Sequence, residues 1–255
     1  MIKKIFITAI LGFVFVGCQQ PTDAEKPAII SVGMVGSRAD VDSLFVTVTE
    51  LRTKTASDSS VIFTGSANYN LLRKRGDEPT FVVSNVNMNA TTVTEIRIKI
   101  SNSVVWKNGK SQNVSIPQAL LNGYSIPITE GNISSGTEYN LVILIDVARS
   151  VIKTKNGNYI LRPLVKAAFV ATTGKITGKL IGWKDNPTLY AINGLVDTVS
   201  STKPDTSGAF TFSYLDPKTY RISVHDTLDF KKSYPTGGFY TVKRDEITYT
   251  GDLQK

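Results

Sequence analysis

Cys18 is the residue whose chemistry is clearest, because it is the only cysteine and it ends an apolar leader. The chain starts with a short positive segment that contains Lys3 and Lys4, and an almost uninterrupted apolar run follows from Ile5 to Val16. A membrane-spanning helix needs roughly 20 apolar residues, whereas a signal-peptide core has roughly 7–15. An exported protein with one cysteine cannot form an intrachain disulfide. The thiol is therefore open to another modification.

The segment Phe15–Cys18 resembles a lipobox, in which a small residue precedes a cysteine that is acylated and becomes the first residue of the mature protein. The resemblance implies a signal peptide over residues 1–17, lipid on Cys18 and a polar tether over residues 18–28. Several acyl chains anchor a protein durably, whereas a single chain binds a membrane only marginally. Gln19 beside the cysteine is typical of sorting to the outer membrane. The alternative is an ordinary secretory leader that happens to contain a cysteine.

Residues that could form a catalytic site are scarce in the rest of the chain. His225 is the only histidine, and the adjacent Asp226 points to the opposite face of a strand, so a Ser-His-Asp triad would need partners from elsewhere. The single histidine and the single cysteine exclude a zinc site of three or four such ligands. A pair of carboxylates for glycoside hydrolysis needs no sequence proximity and stays open, with Asp146 and Glu138 as candidates. We predict no catalytic residue, metal or cofactor.

Two acidic segments could contribute to a calcium site, although neither reproduces the full twelve-residue calcium loop. One segment contains Asp40 and Asp42, and the other contains Asp205 and Ser207. Short acidic side chains also stabilise loops by binding nearby backbone N–H groups. We favour this second interpretation for Asp40 and Asp42.

Three aromatic residues of the C-terminal part are candidate ligand contacts. Trp183 precedes a polar turn, and Tyr234 and Tyr240 flank the segment Pro235–Gly238 together with Phe239. An exposed Trp or Tyr ring can stack on a sugar or on a partner protein. Packing in the core of a small β-sandwich is the simpler interpretation of the same residues.

Composition and charge indicate a globular protein with a basic surface. Hydrophobic residues make up 41% of the chain and charged residues 20%. The net charge is +8, and removal of Lys3 and Lys4 with the leader leaves 27 basic residues against 21 acidic ones. This excess would favour anionic surfaces such as phosphate-bearing lipids or glycans, or it simply forms a solvated face. The basic run Arg73–Arg75 has no interleaved aromatic residues and no helix, so we predict no nucleic-acid binding.

Alternating apolar and polar residues predict strands along most of the mature chain. The isoleucines at positions 96, 98 and 100 predict a strand with one buried face, and Leu141–Val147 is apolar on both faces up to Asp146, which predicts a central strand. The pair Asn108-Gly109 predicts a two-residue hairpin turn. We predict an all-β protein with two antiparallel β-sandwich domains of the Ig-like or transthyretin-like type.

Residues 29–172 resemble a bacterial family called domain of unknown function 4382. The matching segments are DVDSLFVTV at 40–48, YNLL at 69–72, LVILID at 141–146 and GNYILRPLV at 157–165, of which the last is the most specific. The resemblance implies a β-sandwich and supplies no catalytic residue.

Residues 173–255 are similar to carboxypeptidase-regulatory-like domains, which are small transthyretin-like sandwiches. The similarity lies in ITGKL at 176–180, SGAFTF at 207–212 and LDP at 215–217 before Tyr220. Such modules occur beside enzymes, transporters and adhesins, and a related superfamily includes starch-binding domains. This resemblance does not imply a catalytic residue either.

The sequence therefore favours a non-enzymatic, lipid-anchored cell-envelope protein that displays two β-sandwich modules for binding or assembly. Its expected partners are a membrane, reached through the lipid on Cys18, and an envelope protein or a glycan. One alternative is a carbohydrate-binding surface lipoprotein that binds sugar through Trp183 of the C-terminal module. Another alternative is an enzyme with a dispersed carboxylate site.

Overall fold

The computed structural model of the protein describes residues 26–73, 77–183, 186–194, 197–226 and 233–254. The expected signal peptide, Cys18 and most of the expected tether lie outside these ranges, as do Lys74 and Arg75 of the basic run. The described chain consists almost entirely of β-strands, which confirms the all-β prediction. Within the described ranges, no helix is long and apolar enough to span a bilayer.

The strands between Ala28 and Phe169 form the two sheets of an N-terminal sandwich, together with two short helices. The strands are β1 (Ala28–Gly36), β2 (Ser43–Thr55), β3 (Ser59–Asn70), β4 (Thr80–Met88), β5 (Thr91–Lys107), β6 (Lys110–Ser115), β7 (Tyr124–Pro127), β8 (Asn132–Ile133), β9 (Glu138–Ile145), β10 (Val151–Lys153), β11 (Tyr159–Leu161) and β12 (Val165–Phe169). The helices are α1 (Gln118–Asn122) and α2 (Val147–Ser150).

The first sheet of this sandwich has the strand order β12-β9-β1-β4. The second sheet follows the path β10-β11-β6-β5-β2-β3, and β7 and β8 also pair with β5. Most neighbouring strands are antiparallel, as predicted, but β1 runs parallel to β9 and β11 runs parallel to β6. Because β1 and β9 are parallel, the residues that follow both strands emerge at the same end of the sheet.

Period-2 alternation decides which side chains of the N-terminal sandwich enter its core. Ile96, Ile98 and Ile100 of β5 are buried between the two sheets, and residues 97 and 99 lie on the outer face. Each such isoleucine stabilises the fold by about 1.5–3 kcal/mol relative to an exposed position. Strand β9 is the predicted central strand, because it lies between β12 and β1 and its residues from Leu141 to Ile145 are all buried.

The predicted hairpin turn at Asn108-Gly109 joins β5 to β6. Both residues have positive φ, 51° and 73° respectively, which is the conformation that a type I′ turn requires. The turn reverses the chain from the long strand β5 into β6. The hairpin lies beside the loop that follows β1, since the Asn108 N–H donates to Asp42 of that loop.

A C-terminal sandwich follows a short 3-10 helix at Val170–Thr172. Its strands are β13 (Gly174–Ile181), β14 (Thr188–Asn193), β15 (Asp197–Thr202), β16 (Ala209–Leu215), β17 (Thr219–His225), β18 (Ser233–Thr241) and β19 (Ile247–Gln254). One sheet has the order β16-β13-β19 and the other has the order β15-β14-β17-β18. The pairing of β13 with β19 is parallel. Phe210, Phe212 and Tyr220 are the largest side chains buried between the two sheets.

The C-terminal sandwich packs the edge formed by β15 and β16 against the outer face of the first N-terminal sheet. Val35, Val142 and Leu144 of that sheet form a small buried cluster with Tyr214 of β16. The Tyr214 hydroxyl donates to the backbone oxygen of Asp77 at 2.8 Å. Burial raises the pKa of Tyr214 to about 12. This packing explains why β9 is buried on both of its faces.

Asp146, which directly follows β9, is the polar centre of this interface and is only 5% exposed. Its carboxylate accepts hydrogen bonds from the backbone N–H of Ser201 at 2.8 Å, from the Ser201 hydroxyl and from Arg149 Nε at 2.8 Å. Arg149 Nη1 then donates to the backbone oxygen of Thr198 at 2.9 Å. The Ser37 hydroxyl also points to this carboxylate, at 3.5 Å. Asp146 thus connects β9, helix α2 and the loop after β1 to strand β15.

Two further ion pairs across the interface are largely exposed. Lys166 contacts Asp216 at 2.5 Å and Arg244 contacts Glu130 at 2.8 Å. Exposed pairs of this kind contribute about 0–1 kcal/mol, because water screens the charges. The buried network around Asp146 therefore holds the two sandwiches together more strongly than these pairs do.

We expect Asp146→Ala to destabilise the protein by about 3 kcal/mol, because it leaves the Ser201 N–H and part of the Arg149 guanidinium unpaired in a buried interface. Urea unfolding of the purified protein measures this loss. As a matched control, Asp252→Ala removes an exposed carboxylate and should change stability by less than about 0.5 kcal/mol. Equal unfolding midpoints for Asp146→Ala and the unmodified protein would contradict this role.

Candidate functional site

Two neighbouring cavities lie where the loop after β1 meets the C-terminal sandwich. The larger one, which we call the Trp183 cleft, has a volume of about 660 Å³. Arg38 and Asp42 line it from the N-terminal sandwich, and Trp183, Asn186 and Asp205 line it from the C-terminal sandwich. Since the two sandwiches each supply one wall, the cleft exists only when they are docked.

Trp183 reaches the cleft because the chain turns sharply at the end of β13. Gly182, with a φ of +80°, makes this turn directly before the indole. One part of the Trp183 side chain packs against the core of the C-terminal sandwich, and the residue also lines the cleft. Trp183 therefore packs against the core and also borders the cleft, and its contact with a ligand stays a prediction.

The opposite wall of the cleft is a loop that Asp205 organises. Asp205 Oδ1 accepts hydrogen bonds from the Ser207 hydroxyl at 2.7 Å, from the Ser207 N–H at 2.8 Å and from the Ala209 N–H at 3.0 Å. The hydrogen bond from the Ser207 hydroxyl lowers the pKa of Asp205 most, and the positive charge of Arg38 lowers it further. Asp205 therefore stays ionised and stabilises its own loop through the backbone, as an acidic turn residue does.

The loop that carries Arg38 and Asp42 is held by the hairpin between β5 and β6. Asp42 accepts a hydrogen bond from the backbone N–H of Asn108 at 2.7 Å, and Asp40 forms an ion pair with Lys107 at 2.5 Å. The two carboxylates therefore stabilise a loop, as favoured above, but they do so through the neighbouring hairpin and not through their own backbone. Among the described residues, no group of three or more acidic, His or Cys side chains is arranged to hold a metal ion.

The smaller cavity, which we call the lysine pocket, has a volume of about 170 Å³ and adjoins the cleft at Ala39. Lys107, Lys153 and Lys203 line it, and each of them lies at the end of a strand or directly after one. Lys203 Nζ donates to the backbone oxygen of Asn186 at 2.7 Å. These lysines were not among the residues predicted from the sequence, because they are about 50 residues apart along the chain and no motif connects them.

The structure does not bring Trp183 and Tyr240 together. Tyr240 pairs with Tyr220, which pairs with Asn193 at the end of β14, whereas Trp183 lies near the start of β14. Tyr240 also packs against the core, while its neighbour Phe239 is 74% exposed. Neighbouring residues of a strand face opposite sides, so only one of the two can be exposed. Tyr234 pairs with Val224, closer to the Trp183 end of the sandwich.

The catalytic alternatives gain no support from the geometry of the described residues. Glu138 begins β9 and Asp146 follows its end, so about 25 Å separates them at roughly 3.3 Å per residue. Glycosidase carboxylates lie only about 5–9.5 Å apart. His225 stacks edge-on against Tyr190, with ring centroids 4.6 Å apart, and burial lowers the pKa of His225.

The lowered pKa of His225 predicts a pH-dependent stability. The folded protein binds the proton less well than the unfolded chain, so stability is lost as the pH falls below about 6.5 toward the folded-state pKa. We expect thermal unfolding between pH 7.5 and 5 to show a larger loss for the unmodified protein than for His225→Gln. No other imidazole contributes, since the chain has one histidine. Parallel losses in both proteins would contradict the prediction.

Comparisons with solved structures gave only loose likenesses. A variant of the shaft pilin SpaA from Lactobacillus rhamnosus GG has 11% identity and a TM-score of 0.24, with 90% of this chain and 96% of that chain covered. The Bacillus anthracis TIE protein has 9% identity and a TM-score of 0.26, with 89% of this chain and 50% of that chain covered. A fimbrial protein from Bacteroides ovatus has 8% identity and a TM-score of 0.21, with 91% and 50% covered. These TM-scores are too low to transfer a function.

The comparison with protein families gave a definite result, whereas no curated protein sequence matches the chain. The family model described as "Domain of unknown function (DUF4382)" matches residues 28–163. The match runs from the start of β1 to just beyond β11 and includes Asp146 and the loop after β1. Since it spans more than half of the 255 residues, the protein belongs to the DUF4382 family.

Proposed function

We propose that this protein is a non-enzymatic, lipid-anchored cell-envelope protein that displays two docked β-sandwiches and presents the Trp183 cleft to a ligand. The observation that carries the proposal is the position of the cleft relative to the point where the chain enters β1. The chain enters β1 at Ala28, and the loop after β1, at the other end of that strand, lines the cleft. The point where the chain enters the N-terminal sandwich and the cleft are therefore at opposite ends of β1.

The dimensions of the chain support a display role. The nine residues of β1 extend about 26 Å from the entry point to the loop that lines the cleft. At the entry point, Lys26 accepts a hydrogen bond from the Gly136 N–H at 2.9 Å, which attaches the start of the fold to the body of the sandwich. The ten residues from Cys18 to Ala28 could add at most about 35 Å. An anchor at Cys18 would thus allow the cleft to stand away from the membrane surface.

The docking of the two sandwiches also fits presentation of a binding surface. The buried hydrogen bonds of Asp146 fix the orientation of the two walls of the cleft, because they join β9 to β15. A rigid cleft loses little conformational entropy when a ligand binds. We further propose that Gln19 directs the lipoprotein to the outer membrane and that residues 173–255 are a carboxypeptidase-regulatory-like, transthyretin-like module.

The lipid anchor is tested by growing cells with labelled palmitate. We expect the label on the full-length protein, and we expect Cys18→Ala to lose it because the chain has no other thiol. Gly17→Ala is the matched control, since it keeps a small residue before the cysteine and should retain the label. An unlabelled native protein, or a labelled Cys18→Ala variant, would refute the anchor.

A second candidate function is carbohydrate recognition, and the position of Trp183 favours it. The indole shares the cleft with polar side chains from both sandwiches, which is the mixture of aromatic face and hydrogen-bonding groups that a sugar requires. A sugar ring would stack on Trp183, and Arg38, Asp42 and Asn186 would be near its hydroxyl groups.

On a glycan array, we expect the protein to retain at least one glycan and Trp183→Ala to lose that retention. Arg38→Ala should weaken the same retention without disturbing the C-terminal core, so it distinguishes lost binding from lost folding. Phe239→Ala is the control, because it removes an exposed aromatic ring from a strand that does not line the cleft. Absence of any retained glycan would end this second candidate and leave the anchored display role in place.

A further inference from the structure

Lys203 is an unusually buried charged residue, with only 6% of its surface exposed. Its ammonium group donates a hydrogen bond to the backbone oxygen of Asn186 at 2.7 Å. Among the described residues, no carboxylate forms an ion pair with it. A buried charge that lacks an opposite charge costs free energy, so lysines are almost never fully buried without a partner. Burial accordingly lowers the pKa of Lys203.

The surroundings of Lys203 add positive charge to the same pocket. Lys107 and Lys153 also line it, and Asp40 is its only acidic lining residue among those described. The Asp40 carboxylate is already engaged by Lys107 at 2.5 Å. Three lysines therefore line a pocket that has one lining carboxylate, and the charge of that carboxylate also acts on Lys203. Positive charge exceeds negative charge around the pocket. Such an excess of positive charge favours the entry of an anion by electrostatic attraction.

The pocket has room for a small polyatomic anion. Its volume of about 170 Å³ is several times the roughly 30 Å³ that a water molecule occupies in the liquid. Tyr159 and Thr188, whose side chains carry hydroxyl groups, also line it. Lysine and hydroxyl donors together are typical partners of phosphate oxygens.

We propose that the lysine pocket binds a phosphate group, held by Lys203, Lys107 and Lys153. The phosphate could come as a free ion or as a substituent of a larger ligand in the Trp183 cleft. The structure favours the second source because the two cavities adjoin. Ala39 lines both of them, and Asn186, whose backbone oxygen accepts the hydrogen bond from Lys203, lines the cleft. Phosphate binding by this pocket requires neither the lipid anchor nor sugar binding. Its test is therefore independent of the tests of the proposed function.

Thermal unfolding of the full-length protein in detergent tests the proposal, with sodium phosphate compared with sodium chloride at equal ionic strength. We expect phosphate to raise the midpoint by about 2–4 °C, because a ligand that binds only the folded state stabilises it. Lys203→Met should remove this shift. In chloride, Lys203→Met should unfold at the same temperature as the unmodified protein or a higher one, because it no longer buries an ammonium group.

Lys54→Met is the matched control, since Lys54 is an exposed lysine at the opposite end of β2 from the pocket. It should keep the full phosphate shift. Titration calorimetry adds a second measurement, in which Lys153→Met should weaken phosphate binding about tenfold. The proposal is overturned if phosphate stabilises the native protein no more than chloride does, or if Lys203→Met keeps the shift.

Calorimetry with glucose 6-phosphate, inorganic phosphate and glucose identifies the source of the group. Tighter binding of glucose 6-phosphate than of phosphate, reduced to the phosphate level by Trp183→Ala, supports a phosphorylated sugar that spans both cavities. Equal binding of the two supports a site for the free ion. Binding of glucose alone at the same strength as glucose 6-phosphate would count against any contribution of the lysines.

Discussion

The buried carboxylate of Asp146 is the interaction on which the arrangement of this protein depends. It accepts hydrogen bonds from Ser201 in the C-terminal sandwich and from Arg149 in the N-terminal one, so each sandwich supplies donors to the same two oxygens. Such a network is stabilising only when every member is satisfied, because an unpaired buried charge costs several kcal/mol. The orientation of the two sandwiches is thereby restricted to the one in which these donors converge.

The cleft and the lysine pocket are consequences of that docking. The loop after β1 lines both of them. Asp40 and Asp42 of this loop contact the hairpin between β5 and β6, which stabilises the loop. The opposite walls come from the loops that follow β13 and β15. Strand β15 also contains Ser201, which donates hydrogen bonds to Asp146. A ligand in the cleft would touch both sandwiches at once, and its affinity would therefore depend on their docking. The cleft lies at a junction between two sandwiches, and ligand pockets commonly occur at such junctions.

Local patterns predicted much of the fold. The alternation of residues 96–100 placed three isoleucines in the core, Asn108-Gly109 formed the expected hairpin turn, and the apolar stretch from Leu141 marked the central strand β9. The parallel pairing of β1 with β9 was not predicted, because alternation says which face of a strand is buried but not which strand lies beside it. The exposure of Phe239 instead of Tyr240 likewise depends on register, which a one-residue shift would reverse.

By itself, the sequence determined the all-β class and the family that residues 29–172 resemble, whose model matches residues 28–163. It also predicts a leader that ends at Cys18, and it gives Trp183 as an aromatic candidate. These features are local, since each is written in consecutive residues or in a short period. Only the tertiary structure decided that Asp146 joins two sandwiches, that Trp183 and Arg38 line one cleft, and that Lys107, Lys153 and Lys203 line one pocket. Those residues are far apart along the chain, and their convergence depends on the long-range pairing of strands and on the docking of two hydrophobic surfaces, neither of which leaves a local pattern.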